Sequence, residues 1–249
     1  MRICHYGWGM KVLTTTAFCR VLHALGDNPR VVTPGSAATP LEVLHLIDEQ
    51  LDRWTLFCVN APAGVPTRSE VTHETIFVGP GHRHAEHVEF LPGRLSNTPN
   101  LLRTTRTPDL VVLHTTTPRN GQVSMGIEVQ IMPAAVEAAR ASGGMVVAVM
   151  NPHMPFIAGD GVVSTDEIDY GIEIDAPLLT VGKASLDDAS MTIGDTIAAR
   201  MGDGATIQAG IGAVPDAVLS CLQQSRVDSH SGLRSGAARR HLGVWTELI

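Results

Sequence analysis

Aromatic residues are scarce in this chain: they make up 4% of its 249 residues, whereas hydrophobic residues together make up 44%. A core must therefore be built mainly from aliphatic side chains. Valine-rich runs bounded by glycine and proline are typical of buried parallel strands. The hydrophobic content excludes a disordered chain, and the length predicts one large domain or two small ones.

Surplus positive charge, paired cysteines and long apolar stretches are also missing. The formal net charge is -7, so we expect no nucleic-acid partner, because binding to a phosphate backbone requires a basic face. None of the four cysteines forms a CxxC pair, which argues against zinc-ribbon and thioredoxin-type sites. Without an apolar run of membrane-spanning length or a secretory pattern, we expect no membrane partner and a cytoplasmic location.

What the chain does contain is an alternation of strand and helix patterns. The clearest unit is a strand over 109–114, a helix over 133–142 and a strand over 145–150, which reads as a βαβ unit. The remaining patterns predict strands over 31–33, 56–60, 76–78, 88–91, 205–208 and 242–248, helices over 40–53, 188–201 and 215–224, and a loop over 225–241. This alternation predicts an α/β fold with an open, mostly parallel sheet and helices on both faces.

A glycine turn, Gly210-Ile211-Gly212, lies between the strand predicted over 205–208 and the helix predicted over 215–224. Glycines allow the backbone to approach a ligand closely, and a helix start presents unpaired N–H groups and a positive dipole end to an anion. Pro215 stands where a dinucleotide-binding fingerprint needs a third glycine, which argues against a nicotinamide site. An ordinary tight turn explains the same pattern about equally well.

Other chemistry-bearing residues give weaker signals. The spacing of His82, His84 and His87 fits no common zinc template and favours a solvated polar loop. No GxSxG elbow is present, which disfavours a serine hydrolase. The acidic residues over 166–175 alternate with apolar ones and indicate a surface strand or turn. Glu247 closes an apolar strand pattern, and ligands bind at such strand ends, although a solvated carboxylate explains the pattern better.

Several segments occur in an order that is specific as a set: VEFLPGRLSNTP over 88–99, DLV to GQVSMG over 109–126, VMNPHMP over 149–155, IDY over 168–170, DGATIQAGIGAVPDAV over 203–218 and LGVWTE over 242–247. Together they resemble the amino-terminal half of the acetyl-CoA hydrolase/transferase family, which includes 4-hydroxybutyrate CoA-transferase and other acyl-CoA:carboxylate transferases. One departure is Arg119-Asn120-Gly121, where the family turn usually carries an acidic residue before the glycine.

The resemblance implies a CoA-transferase-like fold of the NagB/RpiA type and a catalytic role for Glu247. Its carboxylate would attack an acyl-CoA thioester, and the returning CoA thiolate would leave a glutamyl-CoA thioester for a carboxylate or water to resolve. Coenzyme A would be a substrate, with no other cofactor and no metal, and acetate is the family-level carboxylate. The expected substrate-binding residues are Gln208, Gly210, Ile211, Gly212, Ala213 and Asn151.

The resemblance also predicts the domain organisation. Residues 1–224 would form the amino-terminal α/β domain, and 225–249 would be a loop and the first strand of a second domain absent from this chain. The expected partners are acyl-CoA, a small carboxylate, and either a second copy or a complementary half. An unpaired final strand would promote self-association. Two alternatives remain open: a truncated non-catalytic remnant or binding domain, and a sugar-phosphate or nucleotide binder of the same fold.

Overall fold

The structure, a computed structural model, describes residues 9–180, 185–202, 205, 207–210 and 212–230, with side chains of the last helix described to residue 222. The chain divides into two compact units, Met1–Thr180 and Val181–Ile249. The strands and helices lie at β1 (Lys11–Leu13), α1 (Thr15–Leu22), β2 (Arg30–Thr33), α2 (Leu41–Gln50), β3 (Trp54–Cys58), β4 (Val71–Thr75), β5 (His87–Phe90), α3 (Thr98–Thr104), β6 (Leu110–Thr115), β7 (Gln122–Ser124), α4 (Met132–Ser142), β8 (Met145–Met150), β9 (Val162–Ser164), β10 (Tyr170–Glu173), α5 (Asp188–Ala198) and α6 (Ala213–His230).

The first unit is built on an eight-stranded sheet with the order β1-β10-β8-β6-β2-β3-β4-β5. Every neighbouring pair in this sheet is parallel. A separate antiparallel ribbon joins β7 to β9. The predicted α/β class with a mostly parallel sheet is confirmed.

Helices cover both faces of the sheet, because successive side chains of a buried strand point in opposite directions. On β6, Leu110 and Val112 pack into one apolar cluster, together with residues of α1 and α2. Val111 and Leu113 pack into the other, together with residues of α3 and α4. Burial on both faces explains why β6 and β8 are continuous apolar runs in the sequence.

The clearest predicted elements agree closely with the structure. The strand over 145–150 has the predicted bounds, and α4 ends at Gly143, whose φ of +81° is the left-handed conformation that glycine adopts without strain. The strand predicted over 76–78 is wrong: the strand of that region is β4, which precedes it. The acidic segment over 166–175 includes β10, which is an inner strand between β1 and β8 rather than a surface strand.

The predicted loop over 225–241 is wrong in its first six residues, because α6 continues to His230. The rest of that loop and the predicted strand over 242–248 lie outside the described residues.

The order of the strands changes direction between β2 and β6. From β2 the chain proceeds to β3 on one side, and from β6 to β8 on the other. Loops that leave two neighbouring strands in opposite directions open a crevice at the carboxyl ends of those strands, and this is where open α/β sheets bind ligands. We therefore expect a ligand site of the first unit at the crevice between β2 and β6.

Candidate functional site

The glycine turn lies in the second unit, where α6 begins at Ala213 directly after Gly212. Gly212 has a φ of +132°, which disfavours any residue with a Cβ, although a Cβ there would have open space. The predicted helix start after Gly212 is confirmed, and Pro215 falls in the first turn of that helix, as predicted. Ile211 lies outside the described residues.

The strand predicted before this turn is not a regular strand. Of the predicted range 205–208, residue 206 is outside the described residues, and only Gln208 forms a bridge, an isolated one. Gly212 instead directly precedes α6, which packs against α5 within the second unit. A Cβ on Gly194 would come within 2.8 Å of the backbone of Ala217, so this glycine lets the two helices approach closely.

Glu247, the residue expected to be catalytic, lies outside the described residues. The roles expected for Glu247, Gln208, Gly210, Ile211, Gly212 and Ala213 stay predictions.

Asn151 follows β8 directly and is fully buried. Its Nδ2 donates to the Ala176 carbonyl oxygen at 2.9 Å and to His114 Nε2 at 3.1 Å, while its Oδ1 accepts from the His153 backbone N–H at 3.1 Å. A backbone N–H on one side and a carbonyl on the other fix the orientation of the amide. The two hydrogens of its amide nitrogen therefore both have partners within the protein.

His114, on β6, completes this arrangement. Its Nδ1 donates to the Ala38 carbonyl oxygen at 2.9 Å, so its Nε2 is unprotonated and can accept from Asn151. Burial lowers the pKa of His114 and keeps the ring neutral. We call His114, Asn151 and their backbone partners the closed network. The substrate contact predicted for Asn151 stays a prediction and would require one of these bonds to open.

A second polar group lies at the carboxyl ends of β2 and β3. Ser36 accepts a hydrogen bond from Asn60 Nδ2 at 2.9 Å, and its backbone N–H donates to the Asn60 carbonyl oxygen at 3.0 Å. Ser36 and Gln130 both hydrogen-bond to the carboxyl group of Glu128. We call Ser36, Asn60, Glu128 and Gln130 the Glu128 cluster.

Glu128 is 4% exposed. Burial raises the pKa of its carboxyl group to about 7, an effect that the hydrogen bonds from Gln130 and Ser36 oppose only in part. Among the described residues no cationic side chain forms an ion pair with it. A carboxyl pKa raised toward neutral pH is frequent among groups that take part in chemistry or polar recognition.

Backbone strain is concentrated in the same cluster. Ser36, Asn60 and Gln130 have φ values of +50°, +57° and +37°, which are unusual for residues other than glycine. The turn at Ser36 is also tightly packed, since a Cβ on Gly35 would lie 1.6 Å from the Val59 carbonyl oxygen. Strained backbone of this kind persists where the surrounding structure enforces it, and it is frequent at functional sites.

Sequence reasoning missed the Glu128 cluster. Ser36 and Asn60 could have been found, because Ser36 follows closely after one predicted strand and Asn60 ends another, at the end of the sheet where ligands bind. Glu128 and Gln130 lie in the connection between β7 and α4, and no local pattern marks them. Only the folded chain brings them to Ser36.

The histidines of the segment 82–87 differ in their exposure. His84 and His87 are exposed, as predicted, but His82 is buried, so the prediction of a solvated loop is wrong for that residue. The Nδ1 of His82 accepts from the Gly79 N–H at 2.9 Å, and burial lowers its pKa to about 4. Within the described ranges, no group of three or more histidine, cysteine, aspartate or glutamate residues is arranged to hold a metal ion.

Over the part of the chain that the structure describes, no helix is both long and apolar enough to cross a membrane.

Comparison with known proteins adds to this geometry. Residues 66–181 match the model of the acetyl-CoA hydrolase/transferase N-terminal domain. This range includes Glu128, Gln130, His114 and Asn151.

Two relatives and one solved structure extend the match. The 4-hydroxybutyrate coenzyme A transferase of Clostridium kluyveri is 31% identical over 92% of this chain and 52% of its own length. The succinyl-CoA:acetate/propanoyl-CoA:succinate CoA transferase of Fasciola hepatica is 28% identical over 90% of this chain and 46% of its own length. The crystal structure of 4-hydroxybutyrate CoA-transferase from Porphyromonas gingivalis superimposes with a TM-score of 0.61 at 26% identity, covering 86% of this chain and 51% of that one.

The chain thus spans about half the length of the relatives it matches. The match to the acetyl-CoA hydrolase/transferase N-terminal domain over residues 66–181, together with these relatives, confirms the resemblance drawn from the sequence.

Proposed function

We propose that this chain supplies the amino-terminal half of an acyl-CoA:carboxylate CoA-transferase or acyl-CoA hydrolase, with coenzyme A as a substrate and a short acyl chain as its cargo. The observation that carries the proposal is the 31% identity to a CoA-transferase over 92% of the chain. The start of α6 directly after Gly212 supports it, because the N-terminus of a helix can place backbone N–H groups near developing negative charge.

Glu247 would be the nucleophile of this reaction. One of its carboxylate oxygens attacks the thioester carbonyl carbon, and the C–S bond breaks to give an acyl-glutamyl anhydride and CoA thiolate. The thiolate attacks the glutamyl carbonyl carbon and expels the acyl group as a carboxylate, which leaves a glutamyl-CoA thioester. A second carboxylate then repeats the sequence in reverse, or water hydrolyses the thioester. The covalent intermediate divides one difficult transfer into easier steps.

Trapping the thioester tests this proposal. The chain is incubated with acetyl-CoA, alone and together with a separately produced carboxyl-terminal half of a CoA-transferase, and the mixture is treated with hydroxylamine. We expect a hydroxamate at Glu247, located by peptide mass spectrometry, and exchange of CoA between acetyl-CoA and labelled acetate when both halves are present.

A Glu247→Gln variant should lose both the hydroxamate and the exchange. A matched control is Glu137→Gln, which removes the charge of a glutamate on the exposed side of α4, 63% exposed, and should leave both unchanged. With Glu247 intact and a second half supplied, the absence of both adduct and exchange would overturn the proposal.

A further inference from the structure

The strand β5 forms one edge of the eight-stranded sheet, and β4 is its one neighbour among the described strands. All four residues of β5 are exposed. An edge strand presents a row of unpaired backbone N–H and C=O groups, and another extended chain can pair with them. The partner that these backbone groups fit is therefore a β-strand.

The free backbone groups can be assigned to residues. The Leu91 N–H donates to the Thr75 carbonyl oxygen of β4 at 2.8 Å. Successive residues of a strand direct their backbone groups to alternate sides, so the residues two and four positions before Leu91 also face β4. Val88 and Phe90 therefore direct their N–H and C=O groups away from β4, toward the open edge of the sheet.

Apolar side chains are concentrated at the same edge. Val88 and Phe90 project to one face of the sheet, because alternate residues of a strand share a face, and Phe90 is 54% exposed. Phe77 and Val78, which follow closely after β4, are exposed as well. Four of the nine large apolar side chains that are exposed within the described ranges thus lie at this edge. Exposed apolar side chains that are grouped in this way mark interaction sites.

We propose that two copies of this chain associate through β5, which pairs antiparallel with β5 of the second copy about a two-fold axis at Val88. The eight-stranded sheets of the two copies then continue into each other across the axis. Pairing of one surface with itself about a two-fold axis is the commonest arrangement in soluble oligomers.

Charge complementarity selects this register. With the axis at Val88, each His87 lies opposite Glu89 of the second copy. Val88 exchanges its outward hydrogen bonds with Val88 of the second copy, and His87 and Glu89 form a non-hydrogen-bonded pair, in which side chains come closest. An imidazole N–H donates to a carboxylate whether or not the ring is charged. The Glu89 carboxylate is accessible, since the residue is 55% exposed and its Oε2 lies 3.6 Å from Arg106 Nη2.

Other registers fit the edge less well. With the axis at Glu89, two carboxylates would face each other, and like charges directly opposite are destabilising. With the axis at Phe90, Val88 would lie opposite Pro92, which has no N–H group to donate. With the axis at His87, Glu89 would lie opposite an alanine and would have no partner of opposite charge.

The proposed interface is separate from the crevice between β2 and β6, because β3 and β4 lie between that crevice and β5. The inference concerns assembly alone. It can be confirmed or overturned whether or not the chain takes part in CoA transfer.

Light scattering over a range of concentrations tests the association. The unmodified chain should have twice the mass of a monomer and should dissociate on dilution. Val88→Pro removes an outward N–H group from each copy and keeps the pairing with β4, since an edge strand tolerates proline where the N–H group faces solvent. We expect the dissociation constant of the dimer to rise at least about 10-fold, because two hydrogen bonds of the interface are lost.

Further variants separate the edge from general effects of substitution. Phe90→Ala should weaken the dimer, whereas Ile157→Ala, which shortens a similarly exposed apolar side chain outside β5, should leave it unchanged. If Val88→Pro fails to fold by circular dichroism, Glu89→Lys replaces it. Lysine then faces His87 of the second copy, and we expect the dissociation constant to rise about 3-fold or more. His87→Asp combined with Glu89→Lys should restore it.

Cross-linking tests the register. A short bifunctional thiol reagent should join two copies of the Val88→Cys variant, because the Cβ atoms of directly opposite residues lie about 5 Å apart. Phe90→Cys should remain largely unlinked, since the two copies of that position are four residues apart along the paired strands, about 13 Å. The unmodified chain gives the background from the native cysteines.

A chain that stays monomeric, a dimer that the edge variants leave unchanged, or preferential linking of Phe90→Cys overturns the proposal. Linking of Val88→Cys to a separately produced carboxyl-terminal half, in preference to a second copy, overturns it as well. That half would then be the partner of β5.

Discussion

Two groups of polar side chains lie at the same end of the sheet, and they differ in how completely they are paired. In the closed network, Asn151 is fully buried and its amide nitrogen and oxygen are engaged, with its hydrogen bonds at 2.9–3.1 Å. In the Glu128 cluster, Gln130 Oε1 lacks a partner among the described residues. Three of the cluster's residues also have positive φ.

The difference shows which polar residues the fold needs for its own stability. A fully paired, fully buried amide between β6 and β8 joins strands and loops, and it offers little to a ligand. The strained and incompletely paired Glu128 cluster lowers the stability of the fold. Such destabilising features are frequent at functional sites. Both groups meet at the short segment 35–39: Ser36 belongs to the Glu128 cluster, and the Ala38 carbonyl oxygen accepts from His114.

The largest expected effect comes from breaking the closed network. Asn151→Leu leaves the His153 N–H, the Ala176 carbonyl and His114 Nε2 without their partner, and we expect a loss of about 4 kcal/mol in the free energy of unfolding. Asn60→Gly removes one side-chain hydrogen bond of the Glu128 cluster and keeps a residue suited to positive φ, so about 1 kcal/mol is expected. Urea denaturation measures both, and equal losses would mean that the two groups do not differ.

Gly35→Ala tests the segment that the two groups share. The added Cβ would lie 1.6 Å from the Val59 carbonyl oxygen, so the backbone must move and we expect a loss of about 3 kcal/mol. Gly93→Ala is the control, because a Cβ at that glycine meets nothing within 4 Å, and its effect should stay within about 0.5 kcal/mol. A Gly35→Ala protein as stable as the control would show that the segment is free to adjust.

Glu128→Gln tests the energetic cost of the cluster through its pH dependence. Because the folded protein raises the carboxyl pKa from 4.5 to about 7, it keeps a proton that the unfolded chain releases above pH 4.5. Stability from this group is therefore full below pH 4.5, falls as the pH rises to about 7, and is level above it. Glutamine removes the titration, so the variant should gain about 2–3 kcal/mol relative to the unmodified protein between pH 4.5 and pH 8.

Urea denaturation of the unmodified protein and of Glu128→Gln, each at pH 4.5 and at pH 8, measures this change in the free energy of unfolding. The histidines that also titrate in this range are the same in both proteins and cancel in the difference. A difference between the two proteins that does not change with pH would show that Glu128 titrates at its ordinary value.

The smallest effect is expected at the rim of the closed network. His153 Nε2 lies 2.8 Å from Asp175 Oδ1, but the side chains are 53% and 82% exposed. Such an exposed pair contributes little, so His153→Ala should change the free energy of unfolding by less than about 0.5 kcal/mol at pH 6. A loss near that of Asn151→Leu would mean that the network extends to the surface.

The predictions from sequence agree best with the structure where the residue pattern within one segment determines its conformation. The buried strand β8, the glycine after α4 and the start of α6 each follow from local patterns, because continuous apolar runs and helix ends marked by glycine are local requirements. The predictions failed at β4 and β10. Both include polar or charged residues, Glu74 in β4 and Glu173 in β10, so their patterns do not resemble buried strands.

The candidate site shows the same division. Asn151 was named as a substrate-binding residue through the family resemblance. Its hydrogen bonds to His114 and Ala176 could not be foreseen, since these partners are 37 and 25 residues away along the chain. The Glu128 cluster unites segments after β2, after β3 and after β7, and no spacing within one segment encodes that meeting.

The glycine turn, the family resemblance and the α/β class were therefore determined by the sequence, because each depends on residue types and their order along the chain. The pairing state of Asn151, the burial of His82 and the existence of the Glu128 cluster were decided by the tertiary structure alone. Hydrogen-bond pairing and desolvation depend on which distant groups the sheet brings within about 3 Å, and that information is not local to any segment.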